Sequence, residues 1–236
     1  MPFSRVIAPT AKAEIDSLTS DMVGIGMNFA ARANPQPNIE DTLLYASVEA
    51  VEKPDLRVLA VLTTWFGLYA TWVNVDRLTQ LVTNQESQRV RAFWSALAYW
   101  WQKDPRYARL CRLYSGPRQD LLSTGTSFHI MRHGEDRRFA GSALRVPGNV
   151  LRDRSTDVLR PAELARRHHA FRYRVMIGPG YRADMWAAIE LDPTLSAAEL
   201  ARKTYGSFAT AWRVKRDLAI FRPSLRRPAK AGKGKL

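Results

Sequence analysis

The chain has one cysteine, Cys111, among 236 residues, so it holds no internal disulfide framework and suits a reducing compartment. Histidine is scarce as well: His129, His133, His168 and His169 are all there is. No Cys-x-x-Cys, His-Glu-x-x-His or Gly-x-x-x-x-Gly-Lys-Ser/Thr stretch occurs, so zinc sites, metalloprotease helices and P-loops lack their residues at the required spacing. No metal and no cofactor is expected. Long apolar runs are missing too. The most apolar stretch, Val58 to Val75, is broken by Thr63, Thr64, Gly67, Thr71 and Asn74, which is too polar for a bilayer span and suits a buried helix. The opening MPFSRVIAPTAKAEID lacks the continuous apolar segment of a secretory signal. A cytoplasmic protein is the expectation. Acid is short in one half only: residues 118–236 carry 24 Lys/Arg against 11 Asp/Glu, whereas residues 1–117 carry 12 against 11. A net +13 confined to one half points to a polyanionic partner, of which nucleic acid is the commonest.

What is present is ample core material. At 46% apolar with seven Trp, eight Tyr and nine Phe, the chain can bury a large interior. A helix is expected over Thr10–Thr19, and "ANPQPN" reads as a linker closing residues 1–37. Asn38 then caps IEDTLLYASVEAVEK, whose Glu40 and Asp41 suit an acidic first turn. Pro54 ends that helix and Asp55 caps the next, LRVLAVLTTWFGLYATW. VNVDRLTQLV is a short amphipathic helix. TNQESQRVRAFWSALAYWWQKDP opens on a cap signal and sets Val90, Phe93, Trp94, Leu97, Trp100 and Trp101 at helical spacing, a core stripe. Residues 38–117 therefore read as an α-helical domain.

Residues 118–221 read as a basic α+β domain. SFHIMRHGEDRRFAG suggests a hairpin, with strands Ser127–Arg132 and Arg137–Ala140 around a turn at His133–Asp136, and SALRVPGNVLRD a further short strand. LRPAELARRHHAFRYRVMIG looks like one helix entered through Pro161. The tail, residues 222–236, has six Lys/Arg and no acid, a composition that predicts disorder. The expected fold class is mainly α with a small β region: an N-terminal helical domain, then a C-terminal basic domain with a short hairpin and, over residues 181–221, two closing helices behind a third.

Those last helices carry the most specific signal. RADMWAAIEL stops at Asp192-Pro193. SAAELARKTY has Ser196 and Glu199 in capping-box register, and FATAWRVKRDLAIF follows Ser207 as cap. Between them Gly206 is positioned to take the left-handed conformation of a tight turn. ELARKTYGSFATAWRVKRDL resembles the bacterial helix-turn-helix family through Leu200, Ala201, Ser207, Thr210, Ala211 and Arg213. The pattern's turn glycine falls on Tyr205, with Gly206 one place later, so the turn reads as one residue longer.

The resemblance implies a last helix lying in the major groove of double-stranded DNA. Phe208, Ala211, Trp212, Val214, Leu218 and Phe221 are expected on its packed side. Ser207 and Thr210 suit phosphate or base contacts, and Arg213 suits a guanine edge. Arg202, Lys203, Lys215 and Arg216 suit phosphates. The layout also resembles abortive-infection-type antitoxins, with a partner-binding helical half beside the DNA-binding half, although those usually carry the DNA-binding part first.

No catalytic constellation is apparent. Asp153 with Asp157, or Glu135 with Asp136, make possible carboxylate pairs of the kind common in solvated turns, and His168 and His169 read as an exposed basic helix face. The expected function is a sequence-specific DNA-binding regulator, antitoxin-like in layout, able to hold a protein partner through its N-terminal half and compatible with an oligomer. The alternative is a protein-interaction or RNA-binding accessory protein, for which RRHHAFRYR interleaves Arg with Phe171 and Tyr173 as single-strand binders do.

Overall fold

The computed structural model describes residues 15–221 and is mainly helical, with twelve α-helices and one pair of two-residue strands among them. None of these helices is long and apolar enough to cross a membrane. The order is α1 (Ile15–Gly24), α2 (Ile39–Glu52), α3 (Leu56–Tyr69), α4 (Val75–Thr83), α5 (Gln88–Trp100), α6 (Ala108–Cys111), β1 (Gln119–Asp120), α7 (Thr126–His133), β2 (Leu144–Arg145), α8 (Pro161–Arg167), α9 (His169–Ile177), α10 (Tyr181–Leu191), α11 (Ala197–Lys203) and α12 (Phe208–Phe221).

Helix starts follow local chemistry. Asn38 accepts from the Asp41 amide at 3.0 Å and opens α2. Asp55 accepts from the Arg57 and Val58 amides, both at 3.0 Å, and opens α3. Ser87 opens α5 by accepting from Val90. Each satisfies amides that the first helical turn leaves without a partner. The first helix extends to Gly24, beyond the expected end at Thr19, because Leu18 and Met22 are buried on one face of it. The expected start at Thr10 lies outside the described residues, as does the tail 222–236.

Two expectations are corrected. Residues 127–140 do not form a hairpin: Ser127–Arg132 lies inside α7, and 137–140 is a turn. Gly134 has a left-handed φ of 73° and its amide bonds the Ile130 carbonyl at 2.8 Å, so this glycine ends a helix and does not turn a hairpin. The strands that do form, β1 and β2, are parallel. The segment after Pro161 is two helices. His168 leaves the helical conformation at φ −118°, ψ 107°, and its Nδ1 accepts from the Phe171 amide at 3.2 Å, capping α9.

Two apolar clusters form. The larger runs from Leu18 to Phe171 and is centred on Trp65, Phe66, Phe93, Trp94 and Tyr107, all at most 1% exposed. Leu121, Phe139, Val146, Leu151 and Leu164 pack into it, so this core crosses position 117/118, where the charge balance changes. The smaller cluster, Met185, Ala188, Ile189, Leu200, Ala201, Ala211 and Val214, belongs to α10–α12.

Candidate nucleic-acid interface

The α10–α12 unit is built by the signals its sequence carries, with one exception. Ser196 Oγ accepts from the Glu199 amide at 3.2 Å, and Glu199 Oε2 accepts from the Ser196 amide at 2.8 Å, a reciprocal capping box. Ser207 Oγ accepts from the Thr210 amide at 3.1 Å and opens α12. The exception is the turn. Tyr205, not Gly206, takes the left-handed conformation, at φ 58°. The Gly206 amide bonds the Ala201 carbonyl at 3.0 Å and the Tyr205 amide the Arg202 carbonyl at 3.3 Å, closing α11 with a Schellman motif. The left-handed residue of the turn is therefore Tyr205, one place before the expected Gly206. Gly206 is suited to its place for another reason: a Cβ there would crowd Met185 Cε and lie 3.1 Å from Tyr181 Cβ.

A left-handed Tyr costs about 1–2 kcal/mol, and Tyr205 is held in place by bonds to the N-terminal helices. Its hydroxyl donates to Asp41 Oδ2 at 2.7 Å, and its ring lies 3.5 Å from the Arg77 guanidinium. Arg77 in turn donates to Asp41 Oδ1 at 2.6 Å. Beside this pair, Arg174 is completely buried and bidentate to two carboxylates. It reaches Glu40 at 2.6 and 2.8 Å and Asp184 at 2.7 and 2.8 Å. Glu40 also accepts from the Asn74 amide at 2.9 Å. These bonds join α2 and α4 to α9, α10 and the α11–α12 turn. Burial raises the Asp41 and Asp184 carboxyls above the usual range, against the pull of Arg77 and Arg174 respectively. His168, whose Nε2 lies 3.0 Å from the Pro37 carbonyl, is pushed down to about 4 by burial. Glu40 and Asp41 lie in the acidic first turn of α2, as expected, and both are buried there. His168, expected on an exposed basic face, is corrected, since it is 1% exposed.

On α12 the buried stripe is Ala211, Val214 and half-buried Leu218, facing α10. Phe208 and Trp212, expected on that side, are 59% and 53% exposed, because they lie on the flank of the stripe where none of the described helices covers them. The Phe221 side chain lies outside the described residues. The outer face of α12 thus presents Phe208, Ala209, Trp212, Arg213 and Arg216. Arg213, Arg202 and Lys203 are exposed and form no salt bridge among the described residues. Arg216 pairs with Asp217 at 3.1 Å and lies 5.7 Å from the Trp212 ring. Two of the named residues are already engaged: the Ser207 and Thr210 hydroxyls bond each other at 2.8 Å. Lys215 is half-buried and donates its ammonium to the Leu195 carbonyl.

Charge is not concentrated on this unit. Residues 181–221 hold six basic and five acidic side chains, whereas 118–180 hold twelve and six, and 222–236 six and none. The RRHHAFRYR segment does not present stacked aromatics. Phe171 is 1% exposed and packs edge-on against Tyr69 and Trp72, and the Tyr173 ring stacks on Trp186. The acidic pairs are committed as well: Glu135 to Arg118, Asp136 to Arg138, Asp157 to Arg154, and Asp153 to the Ser155 hydroxyl. Comparison with protein-family models, curated proteins and solved structures gives no match.

Proposed function

We propose that the chain is a sequence-specific DNA-binding regulator that lays α12 in the major groove, with α11 and the turn at Tyr205 completing a helix-turn-helix. The observation that carries this reading is the outer face of α12, where Arg213 stands exposed, and unpaired among the described residues, beside Phe208 and Trp212 at the N-terminal half of the helix. That half is the one a recognition helix offers to base edges, and an unpaired guanidinium is the usual donor to guanine. Arg202 and Lys203 are open to phosphates. Lys215 and the Ser207–Thr210 pair hold the unit together. With near-neutral α10–α12, long-range attraction to DNA comes from the basic residues of 118–180 and 222–236, so binding is a property of the full chain. The bulky helical body of α1–α6 is the part suited to a protein partner, in keeping with an antitoxin-like layout.

The test is selection of the full chain on random-sequence duplexes, followed by binding at ~50 to ~200 mM salt. An enriched motif, with affinity falling as a steep power of salt, supports the proposal. No retention of any duplex at ~50 mM salt rejects it.

A further inference from the structure

We propose that a second site, unrelated to α12, binds a small planar anion: an aromatic ring carrying one acidic group. The site is a cavity of about 690 Å³ between α3, the end of α5 and the loops of residues 133–155. That is the size range of small-molecule pockets, ~300–1,000 Å³. One wall is apolar and open. Leu68 is 44% and Trp100 37% exposed, although both sit on helices whose other faces build the main core. Gly67 explains how Trp100 reaches this position. A Cβ at Gly67 would come within 2.7 Å of the indole Cη2, so glycine in the interior of α3 lets the ring lie against the helix. Glycine there costs about 1 kcal/mol relative to alanine, and the placement of Trp100 is what it allows.

The rest of the lining is cationic with charge to spare. Arg137 and Arg152 line the cavity and make no hydrogen bond or ion pair among the described residues. The carboxylates around them are mostly engaged. Asp136 is bound by Arg138 at 2.5 Å, and Glu135 by Arg118, which lies outside the cavity. Among the described residues Asp153 accepts only the Ser155 hydroxyl, at 2.8 Å. Two free guanidinium groups against one unneutralised carboxylate leave a single positive charge, which sets the ligand at one negative charge. A guanidinium fork matches a carboxylate bidentately, and an indole face receives an aromatic ring. A planar aromatic acid suits both kinds of lining residue.

The probe is 2-naphthoate, with the uncharged 2-naphthamide as its isostere, titrated calorimetrically into the full chain. The expected result is saturable binding of one naphthoate per chain, at least tenfold tighter than the amide. Arg137→Gln with Arg152→Gln, both exposed and unpaired, should bring the acid down to the affinity of the amide. Arg166→Gln with Arg167→Gln, on the exposed face of α8 away from the cavity, should leave the preference intact. Trp100→Leu should weaken acid and amide by the same factor. The proposal is overturned if the wild type shows no saturable binding in the millimolar range, if acid and amide bind alike, or if the preference survives loss of Arg137 and Arg152. None of these readouts involves DNA.

Discussion

The Tyr205 hydroxyl and the Asp41 carboxylate meet at 2.7 Å, and through this bond the turn between α11 and α12 is fixed to the start of α2. Tyr205→Phe keeps the ring under Arg77 and removes only the donor. It should lower stability by about 1–3 kcal/mol, the usual range for a hydrogen bond to a charged acceptor. Urea unfolding of the two proteins side by side measures this. Equal midpoints would mean that the turn is held by ring packing alone.

Arg213 and Lys215 should separate in kind. Arg213→Ala should cost about 1–3 kcal/mol on the selected DNA site and relax preference at one base pair, with the thermal midpoint unchanged. Lys215→Ala should act through the fold, since its ammonium satisfies the Leu195 carbonyl. A modest drop in midpoint with unaltered base preference is expected. Trp212 supplies a direct optical check: its exposed indole should change emission when the selected duplex is added, and no change would place DNA elsewhere.

The stability of the chain should fall in mild acid because of His168. Folding keeps this imidazole neutral, at about 4 against an ordinary 6.5, chiefly by burial. Between those two values the unfolded chain takes up a proton that the folded chain refuses. Stability is fully present above the ordinary value and declines as pH drops towards about 4, by about 3 kcal/mol. His168→Asn, which keeps a capping oxygen and has no imidazole, should flatten that limb of the stability–pH curve. An unaltered slope between pH ~6.5 and ~4 would assign the acid sensitivity to other groups.

Arg174→Met leaves Glu40 and Asp184 buried without a counter-charge. Breaking a buried pair in this way typically costs about 3–5 kcal/mol. Low pH should recover part of the loss, since protonating Asp184, whose carboxyl burial already raises, removes a stranded charge. A variant as stable as the parent at neutral pH would show that water reaches the site.

Trp94 is 0% exposed and its Nε1 donates to the Ser47 hydroxyl at 2.8 Å. Trp94→Ala should therefore cost about 3–5 kcal/mol, as removal of a buried aromatic does. An unchanged melting midpoint would take Trp94 out of the core.

Legibility in the sequence tracked the reach of each interaction. Asn38, Asp55, Ser196 and Ser207 were readable as caps because each bonds an amide two or three residues away. The apolar spacing of Val90, Phe93, Trp94 and Leu97 likewise shows a buried face directly. Gly134 was misread because a glycine of left-handed φ serves equally to end a helix or to turn a hairpin. Phe208 and Trp212 carried an apolar signal, yet burial depends on a covering helix, and none of the described helices covers that flank. The partners of Arg174 left no local trace at all: in sequence it is one more arginine in a basic run.

The bonds that seat the last helices join distant parts of the chain: Arg174 to Glu40 across 134 positions, and Tyr205 to Asp41 across 164. During synthesis, α2 leaves the ribosome long before either partner exists. Closing so long a loop is slow, and its entropy is repaid only by contacts that α9 and the α11 turn bring. The N-terminal helices can gather first around Trp65, Phe66 and Trp94. The α11–α12 face is thus oriented by contacts whose partners lie more than 130 positions away in the chain.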